Sequence, residues 1–169
     1  QVPCGNDADV DRAVMAARAA FEDWSNTSAD IRSGYIQAIT DKLALRLAEI
    51  GNTISMEQGA PIEFATQVQA GAPWTVMGSY VARAAMMEQT EQIGNSTIVK
   101  EAIGVCAFIN PWNYPLHQIV CKVAPALAAG CTMVVKPSQE TPLNAFLLAE
   151  IIHEVGLPAG EAMCVHPQV

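Results

Sequence analysis

The feature that most constrains the fold is an alternation of short apolar runs with longer helical stretches in the second half of the sequence. Residues 103–109 and residues 131–135 are apolar runs of strand length. Between them, residues 115–129 repeat apolar side chains at helical spacing, and another such stretch opens at Thr141-Pro142. Strands that alternate with helices in this way form parallel sheets with crossover connections. The sequence therefore predicts an α/β fold.

The residues within these runs refine the prediction. Both runs are apolar at successive positions, a pattern typical of strands that helices cover on both faces. Pro125 lies within the intervening helical stretch, and we expect it to kink or break that helix. Residues 162–165 have the composition of a third parallel strand.

The preceding part of the chain, residues 1–90, has helical periodicity instead. Asn6 or Asp7 is placed to cap the first predicted helix. A second helix is predicted after Ser28, and residues 59–61 stop it or its continuation. The apolar stripes of these helices are Val10, Val14, Ala17, Phe21 and Trp24 in the first, and Ile31, Tyr35, Ile39, Leu43, Leu47 and Ile50 in the second.

Two further elements are expected before the α/β region. A third helix is predicted from Pro61 toward Gln89, with an interruption near residues 71–73. Residues 94–96 then have the composition of a turn, and β-branched side chains follow it, which predicts a short hairpin or extended strand over residues 93–102.

The polar loops that follow the two apolar runs are the candidate binding site. Ligands of parallel sheets bind beyond the carboxyl ends of the strands. Those ends here are residues 110–113 and residues 136–140, and prolines mark both loops. Neither a G-x-G-x-x-G motif nor a P-loop occurs, so the sequence lacks the ordinary fingerprint of a dinucleotide site.

Each loop contains one side chain suited to chemistry. Asn113 offers amide N–H donors at a helix start, where they could stabilise a negative oxygen on a carbonyl carbon; alternatively it caps the helix that follows. Lys136 ends a buried strand, where its ammonium could contact a sugar hydroxyl or a phosphate. The alternative for Lys136 is a side chain that extends past the strand end into solvent.

Composition excludes several classes of protein. Hydrophobic residues make up 51% of the chain and charged residues 15%, which favours a globular chain. The formal net charge is -8 without any basic cluster, which argues against a nucleic-acid partner and against anionic membrane surfaces. No apolar stretch has the length of a membrane span, and the charged and then apolar residues of a signal peptide do not follow residue 1.

The cysteines and histidines carry no recognisable site. The 5 cysteines are scattered and form no CxxC pair, a pattern that fits neither a disulfide framework nor a zinc site and favours the cytoplasm. We expect Cys106, Cys121 and Cys131 to be packed core thiols. His117 and His153 lack the spacing of metal ligands.

Several motifs together resemble one enzyme family. PWNYP at 111–115, KVAPALAAGCTMVVKPS at 122–138, TPL at 141–143 and EVGLPAG at 154–160 stand in the order found in the aldehyde dehydrogenase superfamily. The segments DVDRAVMAARAAFEDWS and MEQGAPIEFA resemble earlier parts of the same family. The resemblance therefore covers nearly the whole chain.

The resemblance implies an aldehyde-dehydrogenase-like fold of which this chain is an N-terminal fragment. Residues 1–90 would be the helical layer of the cofactor-binding domain, and residues 91–102 a strand segment of the oligomerisation element. Residues 103–169 would begin a Rossmann-like NAD(P)-binding domain with an incomplete parallel sheet. A full-length parent of this kind is expected to be a homo-dimer or homo-tetramer.

The resemblance also implies roles for the loop residues. Asn113 matches the asparagine that stabilises the substrate oxyanion, and Lys136 matches the lysine that contacts the adenosine ribose. Gln139 stands where many NAD-preferring members have glutamate, so the choice between NAD and NADP stays open. The residues expected to face the cofactor are Ile109, Asn110, Pro111, Trp112, Lys136, Ser138 and Gln139.

The implied parent reaction is NAD(P)+-dependent oxidation of an aldehyde to a carboxylic acid through a cysteine thiohemiacetal. The motifs of the nucleophilic cysteine and of the general-base glutamate are absent from these residues. One alternative is a catalytically inactive nucleotide-binding or subunit-interaction fragment. Another is a related reductase acting on an acyl phosphate or acyl-CoA.

The absence of these motifs predicts that the 169-residue chain alone has no dehydrogenase turnover. The measurement follows reduced cofactor while the purified chain is incubated with a broad panel of aldehydes. Turnover that tracks the chain through purification would contradict the prediction.

Overall fold

A computed structural model describes residue 2 and residues 4–87, 90–160 and 162–164. Helices dominate the first half, and parallel strands alternate with helices in the second. The helices are α1 (Asp7–Ser25), α2 (Ala29–Leu45), α3 (Leu47–Gln58), α4 (Ile62–Phe64), a π-helical segment (Ala65–Ala70), α5 (Gly71–Met86), α6 (Pro115–Ala128) and α7 (Leu143–Glu154). The strands are β1 (Glu91–Ile93), β2 (Ser96–Ile98), β3 (Val105–Ile109), β4 (Thr132–Lys136) and β5 (Ala162–Cys164).

Helix α1 begins with a reciprocal cap. The Asn6 side chain accepts a hydrogen bond from the Ala8 N–H at 2.9 Å, and the Asp9 carboxylate accepts one from the Asn6 N–H at 2.7 Å. Asn6, one of the two residues predicted for this role, is therefore the cap. The helix ends at Ser25, and the next helix begins after the Ser28 cap as predicted.

The predicted apolar stripe of α1 is only partly correct. Ala17 and Trp24 are buried as expected, but Val10 and Val14 are 40% and 43% exposed. These two valines line an open apolar groove beside β3 and β4, together with Ala107, Ile109, Val134 and other residues of those strands.

Helices α2 and α3 meet at a break on Arg46. The Arg46 backbone leaves the helical region, with φ −109° and ψ 11°. Its guanidinium bonds to Glu49 at 2.7 Å and to Glu150 of α7 at 2.9 Å. The hydrogen bond that Arg46 donates to Glu49, and then the one that it donates to Glu150, raise the pKa of Arg46. Arg46 therefore links the α2–α3 junction to α7.

A left-handed glycine ends α3. Gly59 has φ 71°, and its N–H donates to the Ser55 carbonyl at 2.8 Å. Downstream, the irregularity predicted near residues 71–73 lies earlier, as the π-helical segment, and Pro73 is accommodated in the first turn of α5. Helix α5 ends at Met86, and Gln89, toward which the helix was predicted to run, lies outside the described residues.

Strands β1 and β2 form the predicted hairpin. They pair antiparallel, and Gly94 in the turn has φ 59°. All six strand residues are exposed, including Ile93 at 56% and Ile98 at 42%. Residues 99–102, also assigned to the strand segment, are not in a strand.

The second sheet has the predicted parallel arrangement. Its order is β3-β4-β5, and both pairs of strands are parallel. Residue 165, the last of the predicted third strand, lies outside the described residues. The shared core includes large buried side chains from α1, α2, α3, α5, α6, β4 and α7, among them Trp24, Ile36, Ile39, Ile54, Met77, Leu116, Leu127, Met133 and Ile151.

Two expectations about this region are wrong in part. Helix α6 continues through Pro125, so the proline does not break it. Ala124 before it and Leu127 after it are fully buried, so tertiary packing holds the helix despite the missing N–H. Strand β3 is also not covered on both faces. Ile109 is 74% exposed, because β3 is the edge strand of the described sheet and one of its faces lines the apolar groove.

Among the described residues, no helix combines the length and apolar character needed to cross a membrane.

Helix α7 lacks a cap of its own and receives one from α3. The N-cap position of α7 is Pro142, which provides no side-chain hydrogen bond. Glu57 supplies it instead, because its carboxylate accepts from the Leu143 N–H at 2.7 Å and from the buried Asn144 amide at 3.2 Å. The negative charge also lies favourably at a helix N-terminus.

Replacement of Glu57 by alanine is expected to lower the free energy of unfolding by about 1–2 kcal/mol, because a helix start and a buried amide both lose an acceptor. Urea unfolding followed by circular dichroism measures the change. Glu101→Ala, on an exposed loop residue, is the matched control. Equal stability of the two variants would contradict the capping role.

Candidate functional site

The ends of β3 and β4 bring the two predicted loops together. In the parallel register Ile109 lies opposite Lys136, the last residue of each strand. Residues 110–114 and residues 137–142 therefore leave the sheet side by side at its carboxyl edge. The sequence-predicted residues all lie on these strand ends and loops: Ile109 to Asn113 on the first, and Lys136, Ser138 and Gln139 on the second.

Asn110 joins the two strand ends. Its backbone N–H donates to the Lys136 carbonyl at 3.1 Å, and its side-chain amide donates to the same carbonyl at 3.2 Å and to the Phe108 carbonyl at 2.9 Å. The residue is 4% exposed. Its amide hydrogens are thus used within the sheet edge, and only oxygen lone pairs remain for any cofactor contact.

Lys122 of α6 completes this arrangement and was missed by the sequence analysis. Its Nζ donates to the Asn110 Oδ1 at 2.8 Å and to the Gln118 carbonyl at 2.8 Å. Helix α6 is thereby attached to the ends of both strands. The available signal was a single lysine within a mostly apolar helical stretch. The sequence does not show which residue that lysine contacts.

Asn113 lies in the turn that precedes α6. It is exposed, and its amide has no hydrogen-bond partner within the described part of the chain. Helix α6 starts at Pro115 without any side-chain cap. The capping alternative for Asn113 is therefore not realised, and its two N–H donors point to no internal acceptor.

The residues on both sides of Asn113 are held by one distant segment. The Gln58 side-chain amide donates to the Trp112 carbonyl. The Phe64 ring meets the Tyr114 ring edge to face, with centroids 6.2 Å apart. Gln58 and Phe64 were also missed from sequence, because the contacts join segments about fifty residues apart.

Lys136 is the cation of the second loop. It is half-buried, and its Nζ donates to the Pro137 carbonyl at 3.3 Å. Among the described residues it has no carboxylate partner. Ser138 is partly exposed and its hydroxyl accepts from the Glu140 N–H at 3.3 Å, whereas Gln139 is exposed. The loop therefore offers a cation and a neutral amide to a ligand.

The start of α7 is closed to an anion. Its first N–H group, on Leu143, already donates to Glu57, and that carboxylate would repel a phosphate. The second loop is therefore better suited to the hydroxyls of a sugar than to a phosphate group.

Cys106 and Cys121 lack the environment of a nucleophile. Burial raises the pKa of the Cys106 thiol, and the neighbouring Cys131 adds to that rise. Loss of solvation raises the pKa of Cys121 by more than the Lys122 charge lowers it. A raised pKa keeps a thiol protonated and unreactive at neutral pH.

The cysteine expectation is correct for Cys131, which is buried, and wrong for Cys121, which is exposed. The Cys121 sulfur lies 3.4 Å from the Nε2 of His117, one helical turn away on the surface of α6. Cys121 lies on the exposed face of α6, and the helix buries the opposite face. The apolar residues beside Cys121 in the sequence therefore do not surround it in the structure. No group of three metal-ligating side chains occurs among the residues described.

Comparisons with known proteins agree on one family. The model of the aldehyde dehydrogenase family matches residues 1–168. The chain is 44% identical, over 163 residues, to 3-succinoylsemialdehyde-pyridine dehydrogenase of a Pseudomonas species, covering 94% of this chain and 34% of that protein. It thus spans about a third of the length of the curated relatives it matches.

Solved structures give the same result. A variant of aldehyde dehydrogenase C from Pseudomonas syringae, in complex with NAD+ and octanal, superposes with a TM-score of 0.91 at 44% identity, covering 99% of this chain and 34% of that one. Betaine aldehyde dehydrogenase from Staphylococcus aureus, in complex with NAD+, superposes with a TM-score of 0.94 at 34% identity, covering 99% and 34%.

Replacement of Lys122 by methionine is expected to lower the free energy of unfolding by about 1–3 kcal/mol, because it leaves the buried Asn110 oxygen without its donor. The change in urea midpoint gives the value. Lys100→Met, at an exposed position, is the control and should change stability by less than about 0.5 kcal/mol. A Lys122→Met variant as stable as that control would mean that the lysine does not hold the strand ends.

Proposed function

Because the chain belongs to the aldehyde dehydrogenase family, we propose that it supplies the oxyanion donor and the ribose-binding edge of an enzyme that oxidises an aldehyde to a carboxylic acid with NAD(P)+. The observation that carries the proposal is the unpartnered amide of Asn113, at the carboxyl edge of a parallel sheet and on the loop beside Lys136. The proposal concerns a complete enzyme of which these residues form about a third, by comparison with the relatives.

The amide of Asn113 would act on the substrate. When a thiolate attacks an aldehyde, negative charge develops on the carbonyl oxygen. A donor that is already in place and engaged with nothing else stabilises that charge without reorganisation. The Cys106 and Cys121 thiols have raised pKa values and are not activated, so the nucleophile is proposed to come from residues outside this chain, as is the general base.

The second loop would hold the cofactor. The Lys136 ammonium and the Gln139 carboxamide suit the hydroxyls of an adenosine ribose, and the capped start of α7 disfavours a phosphate there. Gln139 carries no charge that would repel a 2′-phosphate, whereas the Glu57 carboxylate at the start of α7 would, so NAD is the better fit and NADP is the alternative. NAD(P)+ would accept the hydride from the substrate. The edge formed by Ile109, Asn110, Pro111, Trp112 and Ser138 would lie along the cofactor.

The proposal extends to the oligomeric state of the complete protein and to its cellular compartment. The exposed apolar side chains of Ile93 and Ile98 on the hairpin support its role in an oligomerisation element, in a homo-dimer or homo-tetramer. A reducing cytoplasm suits the free thiols of Cys4, Cys106, Cys121 and Cys131.

A second candidate is a nucleotide-binding or subunit-interaction piece without catalysis. The residues of the given sequence support it, because they include the proposed cofactor edge but no motif of a nucleophilic cysteine. The protein made from the complete reading frame discriminates between the two candidates, since only the enzyme reduces NAD(P)+ in the presence of an aldehyde.

In that complete protein, Asn113→Ala is expected to lower kcat/KM for an aldehyde by about 100- to 1,000-fold through loss of an oxyanion donor, with the affinity for the coenzyme unchanged. Steady-state kinetics and coenzyme titration measure both. Asn52→Ala, at an exposed position on α3, is the control. An Asn113→Ala enzyme as active as the control would refute the catalytic role of the amide.

A further inference from the structure

A single reversal of the chain contacts both neighbours of Asn113. We call residues 57–64, which join the end of α3 to α4, the α3–α4 corner. Gln58 in this corner donates to the carbonyl of Trp112, and the ring of Phe64 packs against the ring of Tyr114. The two contacts lie immediately before and immediately after Asn113 in the loop.

The loop has little internal support of its own. Between residues 111 and 114, the described structure has one backbone–backbone hydrogen bond. In it the Tyr114 carbonyl accepts from the Gln118 N–H, in the first turn of α6. The last contact with the sheet is at Asn110. The Trp112 carbonyl is therefore tied to the rest of the molecule through Gln58.

We propose that the α3–α4 corner positions Asn113 for oxyanion stabilisation, with Gln58 and Phe64 as positioning residues. This inference rests on the proposed function. Holding the residues on each side of Asn113 limits the movement of its backbone, so its unengaged amide moves only through its own side-chain torsions. A displacement of about 1 Å at such a donor can cost on the order of 100-fold in rate.

The corner is built to hold a fixed shape. Gly59 adopts φ 71°, which other residues rarely accept, and the Ser55 hydroxyl donates to the Ala60 carbonyl at 2.7 Å. The helix that carries the corner also packs closely on the π-helical segment. A Cβ on Gly51 would lie 2.7 Å from the Cα of Thr66, so only glycine permits this approach.

The same corner reaches the second loop. Glu57, the residue before Gln58, caps α7 at Leu143 and binds the amide of Asn144. Adjacent residues of one helix end thus contact the two loops that follow β3 and β4. The corner therefore fixes the position of the Asn113 loop relative to the segment that follows Lys136.

The experiment uses the complete enzyme and a double-mutant cycle. Gln58→Glu keeps the size of the side chain but replaces the donor with an acceptor that faces the Trp112 carbonyl. It is expected to lower kcat by about 10-fold while the coenzyme dissociation constant changes by less than about twofold. Gln58→Lys retains a donor and should recover most of the lost rate. Gln67→Glu, the same exchange at an exposed position, is the control and should behave as the unmodified enzyme.

The cycle is completed with Asn113→Ala. If Gln58 acts through Asn113, Gln58→Glu causes no further loss in the Asn113→Ala background. Losses that multiply, or a Gln58→Glu enzyme equal to the Gln67→Glu control, would overturn the positioning role. If Gln58→Glu fails to fold, Phe64→Leu carries the same cycle. An unmodified enzyme inactive on all aldehydes would overturn the proposed function itself, so the two failures are distinguishable.

Discussion

The carboxyl edge of the sheet depends on how Asn110 satisfies its buried polar groups. Its backbone N–H and its side-chain amide both donate to the Lys136 carbonyl, and its Oδ1 accepts from Lys122. A buried amide with unmet hydrogen bonds would cost about 1–3 kcal/mol for each group, so this arrangement is favoured only when β3, β4 and α6 are in register. The positions of the loop after β3 and of Lys136 at the end of β4 both follow from it.

A second set of contacts extends this control to the loops themselves. The Asn110 arrangement fixes where the strands end, and the α3–α4 corner fixes where the loops go. Gln58 and Phe64 contact the residues beside Asn113, and Glu57 holds the start of α7. The helical layer is thus more than a cover for the sheet. Its α3 end determines the geometry of the edge where a dinucleotide and an aldehyde are proposed to meet.

Local patterns were enough to predict the parallel strands, the hairpin at Gly94 and the caps of the first two helices, because each depends on residues close in sequence. The resemblance added the family and the candidate loop residues. Prediction was wrong where tertiary packing decides the outcome. Helix α6 passes through Pro125 because its neighbours are buried, and Val10 and Val14 are exposed because they line a groove. The partners of Lys122 and Gln58 were not predictable, since periodicity carries no information on which distant residue a side chain meets.

The most direct test of the account is a crystal structure of the complete protein with a bound dinucleotide and an aldehyde. The account predicts the Asn113 amide nitrogen within about 3 Å of the aldehyde oxygen, the Lys136 ammonium on the adenosine ribose, and Gln58 still bonded to the Trp112 carbonyl. An Asn113 amide bonded to its own backbone, or a dinucleotide bound away from the ends of β3 and β4, would contradict it.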